Sequence, residues 1–161
     1  MTSLIRVLKA IYVTDFDPRK INKENEEIIL TKMLIFAVTW SVLCTCDRIT
    51  SEKMEKMANN LFPTADLPIG ELGDSFLDFS LETPDWRKWE ELDLSFEYRK
   101  NDKYSEIIVP TQNTKRYEFL LSKAIRCRYP VYLTGITGTG KTVVAKATMG
   151  HLDEQEKIIP L

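Results

Sequence analysis

Residues 130–144 read Pro-Val-Tyr-Leu-Thr-Gly-Ile-Thr-Gly-Thr-Gly-Lys-Thr-Val-Val, and the reading of this stretch decides the fold. Within it, Gly135, Ile136, Thr137, Gly138, Thr139, Gly140, Lys141 and Thr142 complete a G-x-x-x-x-G-K-[ST] pattern. Holding a polyphosphate requires backbone N–H groups turned inward around the anion, and Gly135, Gly138 and Gly140 permit that turn. Lys141 supplies a mobile positive charge within reach of the β- and γ-phosphate oxygens, and the Thr142 hydroxyl is placed to ligate Mg²⁺. The flanks agree with the pattern. Val131-Tyr132-Leu133 predicts a short strand before the loop, and Val143, Val144 and Ala147 predict a helix after it, its N-terminal dipole facing the same phosphates. A glycine-rich turn without a ligand would need neither three glycines nor Lys-Thr after the last of them.

Hydrolysis is a separate question. It needs an acidic residue at the end of another strand to hold Mg²⁺ through water, and a group that orients the attacking water. Only 20 of the 161 residues follow Lys141, and no run of four apolar residues followed by two carboxylates precedes Gly135. Glu90-Glu91 follows Lys88-Trp89 and lacks the hydrophobic strand. The chain is expected to carry no catalytic residue of its own, to bind nucleotide poorly in isolation and not to turn it over.

Working outward, a helix is predicted over residues 113–126. Tyr117, Leu120, Leu121, Ala124 and Ile125 form its apolar stripe, and Lys115, Arg116, Glu118, Lys123 and Arg126 its charged side. Phe119 falls among the charges. The plainer reading is an incidental exposed aromatic, the alternative a contact with a neighbouring module. Pro110 stands just before it, where it reads as a strand-end breaker. Upstream, the spacing predicts helices over residues 3–12, 24–46 and 51–61, the last stopped by Pro63. The second of these is apolar nearly all round after Met33 and must be enclosed by other structure.

From Ala65 to Glu106 the pattern changes to short alternating pieces, SFLDFSLE and LDLSFEY, which read as strands or extended arms. Residues 71–106 hold 11 acidic and 5 basic side chains, and residues 109–161 hold 8 basic and 4 acidic. The shift divides the chain into residues 1–105 and 106–161.

Several classes are excluded. A formal net charge of -2 gives no positive sign of nucleic-acid binding. Cys44, Cys46 and Cys127 make neither an even set nor a C-x-x-C pair, and His151 has no partner at ligand spacing. On a helix, Cys44 and Cys46 would lie about 200° apart and could not share zinc. The longest uncharged run, residues 33–46, is short of the roughly 20 residues a bilayer span needs. Arg6, Lys9 and Asp15 interrupt the apolar N-terminus, against a secretory signal. An intracellular, soluble chain is the expectation.

The stretch IIVPTQNTKRYEFLLSKAIRCRYPVYLTGITGTGKTVV resembles the start of the third AAA+ module of a dynein heavy chain. In such modules an I-V-P-T segment, a D/N-T-x-R-Y helix and P-V-x-x-T-G-x-T-G-T-G-K-[ST] follow one another, as they do here from Ile107 to Thr142. MTSLIRVLKAIY is similar to a helix of the second module, and LIFAVTWSVLCTCD to a segment of its C-terminal region. Trp86 and Trp89 stand where the family has paired tryptophans, although taken alone they read as core aromatics.

The resemblance implies an α/β fold: an incomplete P-loop AAA+ core at the C-terminus, preceded by the mainly helical C-terminal part of another module. It implies ATP and Mg²⁺ as ligands, with Val109, Pro110 and Thr111 beside the adenine. As partners it implies neighbouring AAA+ modules and, through the parent, dynein intermediate and light chains and microtubules, with no nucleic acid and no membrane. The implied location is cytoplasm and cytoskeleton, the axoneme of a cilium in particular. Ile136 departs from the family's frequent proline, and Cys44 to Cys46 from its small residues. The second acidic motif, the sensors and any arginine finger are missing from the sequence. A different class, a self-contained module that binds nucleotide or a partner without catalysis, accounts for the loop as well. A small complete P-loop kinase fails, because its catalytic half would have to precede the loop.

Overall fold

The computed structural model describes residues 2–16, 19, 22, 24–68, 75–82, 84–91, 107, 109–150 and 152. The extended piece LDLSFEY, His151 and the division near residue 105 lie outside the described residues. The chain forms two compact units, Met1–Lys88 and Trp89–Leu161.

The first unit is built on three helices and a hairpin: α1 (Thr2–Asp15), α2 (Glu26–Ser41), α3 (Arg48–Leu61), β1 (Phe79–Glu82) and β2 (Asp85–Lys88). Asn22 and Asn25 exchange side-chain-to-backbone hydrogen bonds at the entry to α2, each amide oxygen accepting from the other's N–H at 3.1 and 2.8 Å. Glu26 and Glu27 in its first turn suit the dipole. The helix ends at Ser41, short of the Cys46 expected from the apolar run, and tightens into a 3₁₀ turn at Leu43–Thr45. The Thr39 and Ser41 hydroxyls donate to the carbonyls four residues back, at 2.9 and 2.6 Å, and such back-bonding weakens the last turn. Cys44 and Cys46 therefore sit on or beside this turn, not on a helix. Their thiols donate to the Trp40 and Val42 carbonyls at 3.1 and 3.5 Å.

By length and composition Glu26–Thr45 would pass as a membrane span. Ile29, Met33, Phe36 and Ala37 nevertheless lie wholly inside the unit, α1 packs along the helix, and each large side chain so buried contributes about 1.5–3 kcal/mol. Lys32 is buried in the same face; its ammonium donates to the Pro84 carbonyl at 3.1 Å and pairs with Asp66 at 3.8 Å.

α3 begins three residues before the Ser51 expected, because Asp47 caps it. The Asp47 carboxylate accepts from the Thr50 N–H at 3.0 Å and the Thr50 hydroxyl at 2.8 Å. Its inner face closes a core of Ile35, Leu43, Ala65, Leu67 and Phe76, with Met54, Ala58, Phe62 and Trp86 packed on it. The piece SFLDFSLE divides in two: a capped 3₁₀ turn at Phe76–Asp78, then β1. β1 pairs antiparallel with β2, Leu81 opposite Trp86.

The second unit holds a 3₁₀ turn at Trp89–Glu91 and two packed helices, α4 (Gln112–Arg126) and α5 (Lys141–Gly150). Thr111 and Thr114 form a capping box at the start of α4, each hydroxyl accepting the other's N–H at 3.2 and 2.7 Å. α4 ends in a paired set of reversed bonds, Arg128 N–H to Ile125 and Tyr129 N–H to Ala124 at 2.7 and 2.9 Å. Arg128 carries the positive φ of 56° that such an ending requires.

Two expectations fail here. Residues 131–134 form no strand: Val131, Tyr132 and Leu133 are exposed, Tyr132 to 89%, and no described strand lies beside them. An apolar extended segment becomes a strand only when a neighbour takes its N–H and C=O groups. The described residues show the expected mixture of helices and strands, mainly helical with one two-stranded sheet, but the strand expected just before the loop is absent from them. Phe119 is also not an incidental surface aromatic. Its ring meets Trp89 edge-on, centroids 5.5 Å apart at 75°, with the Lys123 ammonium 4.7 Å from its centre. Trp89 is 1% exposed. Tyr117, expected in the apolar stripe, is half exposed, whereas Leu121 is buried.

Candidate functional site

The loop between Tyr129 and α5 carries the residues singled out from the sequence. Gly138 and Gly140 have φ of 87° and 79°, a backbone that side-chain-bearing residues rarely adopt. α5 starts at Lys141, immediately after the last of these turns, and the Val144 N–H donates to the Gly140 carbonyl at 3.0 Å, so the loop runs without a break into the helix. The free N–H groups of the helix's first turn are thereby delivered beside the loop.

Lys141 folds back over the loop. Its ammonium has three hydrogens, and three loop oxygens accept from it: the Ile136 carbonyl at 2.7 Å, the Gly135 carbonyl at 2.9 Å and Thr139 Oγ1 at 3.3 Å. The Thr139 hydroxyl in turn donates to the Ile136 carbonyl at 2.9 Å. Gly135, Ile136, Thr139 and Lys141 are thus joined in one local network. Thr137 lies in the turn between them, and Thr142 is exposed in the first turn of α5. This donor set fits a phosphate chain with its magnesium: one cation, a run of small residues and a hydroxyl at the helix start.

The segment before α4 behaves differently. Val109 is exposed and Pro110 half-buried, while the Thr111 hydroxyl serves the α4 cap. No contact between residues 109–111 and the loop is among the described interactions. A cavity of about 250 Å³ is lined by Trp89, Phe119, Thr148 and Leu152 among others. None of its lining comes from residues 135–142, and Thr148 lies about 10 Å along α5 from Lys141. The cavity and the loop are separate features.

Thr139 is one of the residues of the pattern, but it stands where the pattern accepts any residue, and its bond to Lys141 has no sign in the sequence. The Trp89–Phe119 contact joins residues 30 apart in the chain, and periodicity along one helix carries no sign of it. Among the described residues no cluster of metal-ligating side chains occurs.

Comparison with known proteins agrees with this architecture. A family model described as the dynein heavy chain AAA lid domain matches residues 1–91, and one described as the P-loop containing dynein motor region matches residues 96–161. Human dynein axonemal heavy chain 6 is 30% identical over 137 residues, covering 83% of this chain and 3% of its own length. Mouse dynein axonemal heavy chain 12 is 34% identical over 144 residues, covering 78% and 5%. The flagellar outer-arm dynein alpha chain of Chlamydomonas reinhardtii is 23% identical over 161 residues, covering 97% and 3%. The chain therefore spans only a few per cent of the length of these relatives. No solved structure matches it. The lid-domain match alone takes in more than half of the residues, and the chain belongs to the dynein heavy chain family.

Proposed function

We propose that this chain is a nucleotide-binding segment of a dynein-type AAA+ motor region, residues 1–105 ending one module and residues 106–161 beginning the next. Residues 135–142 cradle the phosphates of ATP, Lys141 engages their β- and γ-oxygens, and Thr142 holds Mg²⁺, which when bound neutralises phosphate charge. By resemblance to the family, Pro110 and Thr111 would border the adenine. The observation that carries this reading is the Lys141 ammonium, held on the Gly135 and Ile136 carbonyls at the mouth of a loop that passes directly into α5. A cation so restrained loses less freedom on meeting an anion than a free surface lysine does. The residues that orient water and complete hydrolysis belong to other parts of the heavy chain. Microtubules, intermediate and light chains and neighbouring modules are partners of that whole protein, and the axoneme is its place in the cell. Support for the axonemal assignment comes from its similarity to axonemal and flagellar dynein heavy chains.

Titration of the chain with MgATP into the millimolar range, as the weak binding expected in isolation requires, followed by the amide resonances of residues 135–142, tests the reading. Lys141→Ala should weaken binding by at least tenfold, since it removes charge-assisted contacts worth about 1.5–3 kcal/mol. Equal binding by both proteins, or shifts confined to residues outside the loop, would refute it.

A further inference from the structure

We infer that Thr139 is a positioning residue of this loop: it holds Lys141 ready for a phosphate and hands it over when the phosphate arrives. The inference rests on the proposed phosphate-binding role of residues 135–142 and goes beyond it. A threonine hydroxyl has one proton and two acceptor lone pairs. Here the proton is committed to the Ile136 carbonyl at 2.9 Å, which closes the turn from Ile136 to Thr139. A lone pair accepts from Lys141 at 3.3 Å. The same Ile136 carbonyl accepts from Lys141 at 2.7 Å, so Thr139 and Lys141 are anchored on one oxygen.

The three acceptors of Lys141 are unequal. The two carbonyl contacts, 2.7 and 2.9 Å, lie at the favourable distance, whereas the Thr139 contact is the longest of the three. It is the one that yields first. A phosphate oxygen takes the ammonium hydrogen that Thr139 held, while the Gly135 and Ile136 carbonyls keep the lysine aimed across the loop. Thr139 loses an incoming bond but keeps the one it donates, so the turn does not relax as the exchange proceeds. Charge favours the swap, because a phosphate oxygen is a stronger acceptor of an ammonium hydrogen than a neutral hydroxyl.

A second observation points the same way. A Cβ placed on Gly135 would stand 3.3 Å from Thr139 Oγ1, a tight approach. The first glycine of the pattern thus makes room for the Thr139 hydroxyl. The ligand class this arrangement serves is a polyphosphate, whose several oxygens can replace Thr139 without disturbing the carbonyl anchors.

The test compares Thr139→Val, which keeps the shape and removes the hydroxyl, with Thr139→Ser, Lys141→Ala and the Thr139→Val/Lys141→Ala double variant, each titrated with MgATP in the full 161-residue chain. Thr139→Val should weaken binding about threefold to tenfold, because the Ile136 carbonyl that anchors Lys141 loses the Thr139 bond that fixes it in both states, and Thr139→Ser should restore it to within about twofold. The double variant should bind no more weakly than Lys141→Ala alone, because Thr139 acts through Lys141. If Lys141→Ala binds like the parent chain, the phosphate-loop reading falls. If Lys141→Ala loses binding while Thr139→Val does not, only the role of Thr139 falls. A serine variant as weak as the valine variant, or an additive loss in the double variant, also overturns that role.

Discussion

Replacing Glu55 by alanine should unfasten α3 from the chain that returns across it. Glu55 is 8% exposed, and a single oxygen, Oε1, accepts from the Ser75 hydroxyl at 2.6 Å, the Phe76 N–H at 3.1 Å and the Ser51 hydroxyl at 3.3 Å. The first two bonds cross about twenty residues of sequence; the third stays within α3 and is long. A hydrogen bond to a charged group contributes about 1.5–3 kcal/mol, and alanine would also leave the buried Phe76 N–H without an acceptor. Bonds that share one oxygen are not additive, so the loss is about 3–5 kcal/mol, a large part of the 5–15 kcal/mol that holds a typical domain. Glu55→Gln keeps an acceptor oxygen and should cost only about 1–2 kcal/mol. Urea unfolding followed by tryptophan emission measures the global effect. Amide exchange at Phe76 measures the local one, and its protection should fall by about two orders of magnitude in the alanine variant. Equal urea midpoints for the alanine and glutamine variants, with Phe76 exchange unchanged, would show that Glu55 clamps nothing.

The Asp47 carboxyl is held below the ordinary aspartate range, first by the Thr50 N–H and then by the Thr50 hydroxyl. Because the folded value is the lower one, its stabilisation is complete above the ordinary aspartate value and is lost as pH falls through the depressed value. Circular dichroism should show α3 fraying in acid, and Asp47→Asn should flatten that pH dependence. Phe119→Ala removes the edge contact with Trp89 and the overlying Lys123. About 2–3 kcal/mol should be lost, with a red shift of tryptophan emission; unchanged emission would argue against the contact. Partial burial raises the Cys44 thiol above the ordinary cysteine range, opposed by its own backbone N–H and assisted by nearby Cys46. Alkylation of Cys44, read by peptide mass, should be slow at neutral pH and quicken only in the alkaline range; fast labelling at neutral pH would contradict this.

Helix positions are legible where their causes are local and periodic, as in the apolar stripe of α4 and Pro63 after α3. The Asp47 and Thr111 caps are not part of that apolar pattern, so α3 starts three residues, and α4 one residue, earlier than the periodicity predicts. The loop pattern was legible for the same reason, since glycine φ values and the reach of a lysine side chain act over eight residues. Where α2 would stop was misjudged, because the competing Thr39 and Ser41 hydroxyls are outvoted in any count of apolar residues.

Other features depend on which distant segment arrives. Lys32 is tolerable inside a core only because the Pro84 carbonyl, 52 residues away, meets it. Glu55 needs Ser75 and Phe76, and Phe119 needs Trp89. Residues 131–134 make the same point in reverse: their side chains favour a strand, but a strand is defined by its neighbour, and no described strand lies beside them. Short-range order in the sequence specifies the family, the helices and the eight-residue loop in which Lys141 finds its oxygens. Which buried charges have partners and which aromatic faces inward depend on tertiary contacts that no local pattern encodes.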